Sequence, residues 1–192
     1  WLTFGLLANL VVRKHTYFEC SEGLFDENGS PVGDYILDIS KLARTLAAYT
    51  RPYSVYLVFR ELSHEEQCEL LSELAQLREI PPTRSGAEKA ANVLVYALKN
   101  TRYPKLREGS NDLIWSILFF LTDIGSVEPK LSSAIFDALS AANREGVLQA
   151  YRELLQDGTK TPLAGDNTKG RIDRALSVSK EWPVLTENNS RT

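Results

Sequence analysis

A group of carboxylates near the N-terminus is the part of the sequence whose residue types best suit chemistry. Glu19, Glu22, Asp26 and Glu27 lie close together in the chain. Two carboxyl groups held near one another can divide the roles of proton donor and charge stabiliser, as they do in the hydrolysis of glycosidic bonds. The same four residues also suit a solvated acidic loop, so their spacing alone leaves both interpretations open.

The stretch that starts at Asp26 begins like a calcium-binding loop, with Asn28 and Ser30 at alternate positions. Such a loop needs Gly at its sixth position and a bidentate Glu at its twelfth. Pro31 and Leu37 occupy those two positions here. We therefore do not expect a calcium site in this segment.

Histidine is too rare in the chain for a site built on imidazole. The chain contains only His15 and His64, too few for a His-rich zinc site or an attractive Ser-His-Asp arrangement. The Gly-containing segment 165–170 lacks the preceding strand and the spacing of a phosphate-binding loop. The sequence thus predicts no metal site and no cofactor, and it indicates that His64 is a solvated residue in the first turn of a helix.

The two cysteines, Cys20 and Cys68, allow two interpretations. They would form one disulfide in an oxidising compartment, but they lie in segments of different pattern and match no metal spacing. Two unpaired, buried thiols are the interpretation that we favour. The spacing by itself leaves the redox state open.

Charge and hydropathy exclude two classes of partner. The net charge is -3 and the 22 Lys and Arg residues are scattered along the chain. Binding to phosphate backbones needs clustered cations, so we expect no nucleic-acid partner. No apolar run reaches the roughly 20 residues that a bilayer span requires, so we expect no membrane span.

Residues 1–62 are predicted to form a small β-containing lobe. Strand-forming residues at 16–18 and 34–38 flank the polar, Gly-rich stretch 26–33, a pattern typical of a hairpin. Segment 53–59 is rich in aromatic and β-branched residues, and it fits either a strand or a buried helical turn.

Residues 63–185 are predicted to form a helical lobe. Ser63 and Ser85 each open a Ser-x-x-Glu capping box, and Leu113–Leu121 is apolar on almost every side. A helix with so little polar surface must be covered by other helices. Further helices are predicted over 132–142, 144–155 and 169–181, and 186–192 is predicted to be a tail. The expected class is α+β, mainly α, with both lobes in one domain.

The patterns from about 110 to 183 follow one another in a recognisable order. The apolar helix is followed by a short turn, a Ser-rich helix, a helix with Ala and Tyr, an Arg-containing helix and a Trp-Pro ending. The segments are Asp123-Ile124-Gly125, 132–139 (SSAIFDAL), Ala150, Tyr151, Leu154, 170–175 (GRIDRA) and Glu181-Trp182-Pro183. This order resembles the C-terminal lobe of phage-type lysozymes, and the resemblance covers little more than a third of the chain.

The resemblance implies a lysozyme-like muramidase that cleaves the β-1,4 linkage of peptidoglycan and needs no cofactor. Glu22, which precedes a Gly as the family's acid does, would be the general acid, with Glu19 as the alternative. Asp26 would be the second carboxylate. The chain departs from the family in having Val32 in place of a Thr and a shorter stretch between the two acids, so Asp34 or Asp38 would serve if Asp26 does not.

The same resemblance implies two substrate-binding residues in the helical lobe. Arg171 would lie beside the catalytic acid. Asp123 would occupy the polar position before a cleft-facing Gly, where it would either contact the sugar or cap the end of the helix. The partner would be a peptidoglycan glycan strand, in the cell envelope or outside the cell. The alternative that the sequence supports is a noncatalytic helical domain, a degenerate lysozyme-like fold or an unrelated one, that binds a protein partner.

Overall fold

The computed structural model describes residues 39–48, 52–60, 62–78, 85–100, 105–156 and 168–178. These residues form eight helices and no strand, which confirms the mainly helical class for this part of the chain. The helices are α1 Ile39–Ala47, α2 Pro52–Phe59, α3 His64–Gln76, α4 Gly86–Asn100, α5 Asn111–Gly125, α6 Pro129–Asp137, α7 Ala141–Gln156 and α8 Thr168–Val178. The predicted hairpin lies outside the described residues.

The central helix is α5, as its apolar sequence predicts. All of its residues are buried except Asn111, Asp112 and Ser116. Helices α3, α4, α6, α7 and α8 pack around it and cover its different sides. Complete burial of a single Leu or Phe side chain contributes about 1.5–3 kcal/mol, and α5 supplies more buried large apolar side chains than any other described helix.

Helices α1 and α2 share the core of the helices that follow them. Helix α1 packs on α3, and α2 packs on α4. Leu42 and Val55 are fully buried in the same apolar cluster as α5. The ambiguous segment 53–59 is therefore helical, and a proline at the first helical position suits this start. The division of the chain into lobes at residue 62 stays a prediction, as does the β-rich structure of residues 1–38.

The N-terminus of α3 has the capping box that the sequence predicts. The hydroxyl of Ser63 accepts a hydrogen bond from the backbone nitrogen of Glu66 at 3.3 Å, and the Glu66 carboxylate accepts one from the backbone nitrogen of Ser63 at 2.7 Å. At α4, the hydroxyl of Ser85 accepts a bond from the backbone nitrogen of Glu88 at 3.2 Å. These bonds satisfy N–H groups that the first helical turns leave free.

Helix boundaries differ from the sequence prediction in the second half of the chain. Helix α6 begins at Pro129, three residues before the predicted start at Ser132, because proline fits the first helical position without losing a hydrogen bond. Helix α7 likewise begins before the predicted Arg144. Ser110 occupies the cap position of α5, but its hydroxyl makes no capping bond.

Candidate binding site at the end of the central helix

The site is centred on Asp123 in the last turn of α5. Its carboxylate is buried, with 5% of the side chain exposed, and it contacts three basic side chains. Nε2 of His64 lies 2.9 Å from Oδ2, Nη1 of Arg174 donates to Oδ1 at 2.9 Å, and Nη2 of Arg171 lies 3.5 Å from Oδ2. A buried carboxylate needs such partners because burial without them strongly disfavours its charge.

Helix starts and helix spacing position these side chains, and the packing of α3 and α8 on α5 brings them together. The capping box starts α3 at His64, and the ring of that residue packs on Phe120 with 4.6 Å between ring centroids. Arg171 and Arg174 are three residues apart, which places them on one face of α8. The guanidinium of Arg171 also lies 5.3 Å from the ring centroid of Phe119, a cation–π distance.

The charge state of Asp123 follows from these contacts. Burial on its own raises the pKa of this carboxyl. The hydrogen bond from His64 and the positive charges of Arg171, His64 and Arg174 outweigh burial and hold the pKa below its ordinary value. Asp123 is therefore an ionised acceptor near neutral pH, which assigns the proton of the contacting imidazole nitrogen to Nε2.

Cys68 lies one helical turn after His64, with its Sγ atom 3.7 Å from Nε2 of the imidazole. The thiol is free and half-buried. Burial, aided by the negative charge of Asp123, raises the pKa of Cys68 to about 12. Because the thiolate is the reactive form, this neutral thiol is not an activated nucleophile.

A groove of about 500 Å³ opens beside Asp123. Helix α3 lines one side with Glu65, Glu69 and Glu73, and the turn between α5 and α6 lines another with Val127 and Glu128. Of the Lys and Arg residues that the structure describes, only Arg174 lines the groove, and it is paired with Asp123. The groove is therefore acidic.

Two of the four predicted site residues lie in this site. Asp123 and Arg171, the two predicted substrate-binding residues, are neighbours. Glu22 and Asp26, the predicted catalytic pair, lie outside the described residues, as does Glu19. Their catalytic and substrate-binding roles stay predictions.

The sequence analysis missed Arg174 and the contact made by His64. Arg174 could have been predicted, because its three-residue spacing from Arg171 places both side chains on one face of a helix. His64 does lie in the first turn of α3 with 44% of its side chain exposed, but its ring nitrogen is engaged by Asp123 rather than only by water. No local pattern marks that contact, because the two residues are 59 positions apart.

The described part of the chain is thus a helical domain with an ion-paired carboxylate at the end of its central helix and an acidic groove beside it. The chain matches no protein-family model, and comparison with curated proteins and with solved structures finds no significant match. Within the described ranges, no group of three or more His, Cys, Asp or Glu side chains is arranged to hold a metal ion. None of the helices described combines the length and apolarity needed to cross a membrane.

Proposed function

We propose that the helical body is a noncatalytic protein-binding domain and that the groove between α3 and the α5–α6 turn is its binding surface. The observation that carries the proposal is the exposure of Val127. This residue is 80% exposed on the groove, and Leu155 is the other large apolar side chain that is exposed among the described residues. An apolar residue within a polar rim is the usual arrangement of a protein interface.

The chemistry of the groove favours a macromolecular partner over a small molecule. Pockets for small molecules are lined mainly by apolar and aromatic side chains that enclose the ligand. Here five of the twelve lining residues are carboxylates, none is Phe, Tyr or Trp, and the groove is open to solvent. Such a surface is suited to the exposed side chains of another protein.

The charge states beside the groove support a noncatalytic role for the described residues. A glycosidase needs a carboxylic acid that stays protonated near neutral pH, and its pKa must therefore be raised. The pKa of Asp123 is shifted in the opposite direction. The other group with chemical potential, Cys68, is held as a neutral thiol.

Selection of peptides from a display library against the whole chain tests this proposal. We expect the selected peptides to bind the Val127→Ser variant about threefold to tenfold more weakly, because the apolar contact is lost without a change in charge. Leu155→Ser is the matched control, since it changes an exposed apolar residue that does not line the groove. The proposal is overturned if no peptide is selected or if both variants bind like the parent chain.

Peptidoglycan cleavage remains a second candidate, supported by one specific observation. Asp123 and Arg171, which the lysozyme resemblance assigns to the substrate, lie 3.5 Å apart, and Asp123 lines an open groove. The test is turnover of purified peptidoglycan by the chain and by Glu22→Gln over a range of pH and salt. Loss of turnover in the variant alone supports Glu22 as the acid. Equal turnover removes that role, and absence of turnover by the parent chain removes this candidate.

A further inference from the structure

We propose that the partner bound in this groove is an amphipathic helix that carries Lys or Arg at intervals of four residues. This inference rests on the proposed protein-binding function and names the chemistry of the partner. The cations of the partner would pair with the carboxylates of α3, and an aliphatic side chain of the partner would cover Val127.

The spacing of the carboxylates along α3 defines which positions of the partner helix must carry cations. Glu65, Glu69 and Glu73 follow one another at four-residue intervals along α3 and all line the groove. With a rise of 1.5 Å per residue, successive carboxylates are displaced by about 6 Å along the helix axis. A second helix laid alongside presents every fourth side chain at the same interval, so each cation meets one carboxylate.

These carboxylates are available to a partner. Glu65 and Glu69 are exposed, and neither forms an ion pair with a Lys or Arg in the part of the chain that the structure describes. Glu73 accepts a hydrogen bond from the hydroxyl of Ser40 at 2.7 Å through one oxygen, which leaves the other oxygen to accept a second donor. Several like charges along one groove repel one another, and a polycationic ligand relieves that repulsion.

The rest of the groove limits the partner to an amphipathic segment. Glu128, in the turn between α5 and α6, adds a carboxylate to the groove, and the preceding residue Val127 exposes an aliphatic surface to water. Asp123 is less accessible to an incoming cation than the glutamates of α3, because its side chain is buried and both of its oxygens already contact basic side chains. The partner therefore needs both cations and an apolar residue on one face, a pattern that a helix provides.

Fluorescence anisotropy with synthetic peptides tests the inference. The probe is a labelled helical peptide with Lys at four-residue intervals and Leu on the same face. A second peptide has the same composition and helicity but broken Lys spacing, and a third has Lys at alternate positions for an extended chain. We expect the first peptide to bind at least fivefold more tightly than the other two, and its affinity to fall about tenfold between low and high salt. Equal binding of the three peptides, or tighter binding of the third, overturns the inference.

Substitutions in the chain locate the contact. Glu69→Gln should weaken binding of the first peptide about threefold to tenfold, whereas Glu145→Gln, an exposed carboxylate on α7 that does not line the groove, should leave it unchanged. Glu69→Lys should bind a peptide whose central Lys is replaced by Glu more tightly than it binds the original peptide. If Glu69→Lys does not prefer the Glu-substituted peptide, the proposed pairing of Glu69 with a cation of the partner is wrong.

The outcome also separates this inference from the proposed function. If library-selected peptides bind in a manner that depends on Val127 but the Lys-spaced peptide does not bind, the groove is a protein-binding surface with a different kind of partner. If neither kind of peptide binds, both the proposed function and this inference are wrong.

Discussion

Asp123 and Arg174 are 51 positions apart in the chain, yet Oδ1 of the carboxylate accepts a hydrogen bond from Nη1 of the guanidinium at 2.9 Å. His64 contacts the other oxygen of the same carboxylate. One buried charge therefore connects α3, α5 and α8, which are distant in sequence. This connection holds α3 at the edge of the groove, and it makes Asp123 the first residue to test for the stability of the site.

Asp123→Asn should lower the free energy of unfolding by about 2 kcal/mol at pH 7. The amide loses the negative charge that the three basic side chains require, and its NH₂ group cannot accept their hydrogen bonds. The loss stays moderate because Arg174 and His64 are partly exposed and can turn to water. Urea denaturation measures the change. The matched control is Asp137→Asn, an exposed residue at the end of α6, which should change stability by less than about 0.5 kcal/mol. A loss in Asp123→Asn as small as in the control would contradict this prediction.

The contribution of Asp123 should disappear in acid. The pKa of this carboxyl is lower in the folded protein than its ordinary value of 3.8, so ionisation of Asp123 favours folding above that value. The contribution is lost as the pH falls below 3.8 through the folded-state pKa. The difference in unfolding free energy between the parent chain and Asp123→Asn should shrink as the pH falls below about 4. Glu108, whose pKa is lowered by the hydrogen bond from Lys99, is present in both proteins and cancels in this comparison. A difference that grows as the pH falls below about 4 would show the opposite linkage.

Cys68 should react slowly with alkylating reagents. At pH 8, a thiol with a pKa of 9.0 is about one-tenth ionised, whereas a thiol with a pKa of about 12 is ionised in about one molecule in ten thousand. In a Cys20→Ser background, we expect iodoacetamide to modify native Cys68 at least a hundredfold more slowly than the urea-unfolded chain. The unfolded chain is the internal control. Comparable rates in the native and unfolded proteins would show that the thiol is neither buried nor disfavoured as a thiolate.

Gly86 should not tolerate a side chain. A methyl group at this position would collide with the backbone carbonyl oxygens of Leu74 and Leu77, which cannot move without disturbing the end of α3. Gly86→Ala should therefore cost about 2 kcal/mol or more of stability. Gly146→Ala is the comparison: its methyl would lie 2.6 Å from Cδ1 of Ile114, a side-chain tip that can shift, and alanine improves helix propensity. We expect the second variant to retain a higher melting temperature, and the reverse order would contradict the argument.

Much of the described fold could be predicted from the sequence because its signals are local. The capping box at Ser63 specifies a helix start within four residues, and the apolar run Leu113–Leu121 requires burial wherever the helix lies. For segment 53–59, the local sequence does not determine the secondary structure. Its apolar residues suit a buried strand as well as a buried helix, and only the structure, in which the segment is helical and packs against α4, decides between them.

The candidate site shows a clearer difference between what the sequence determines and what the tertiary structure determines. The sequence alone determined that Asp123 ends the apolar helix and that Arg171 lies in a later helix, and the lysozyme resemblance assigned both residues to one cleft. Only the tertiary structure decided that they contact one another, that His64 and Arg174 join them, and that the carboxylates of α3 line the adjoining groove. The physical reason is that helix formation depends on residues within a few positions, whereas a buried ion pair depends on how helices from distant parts of the chain pack around α5.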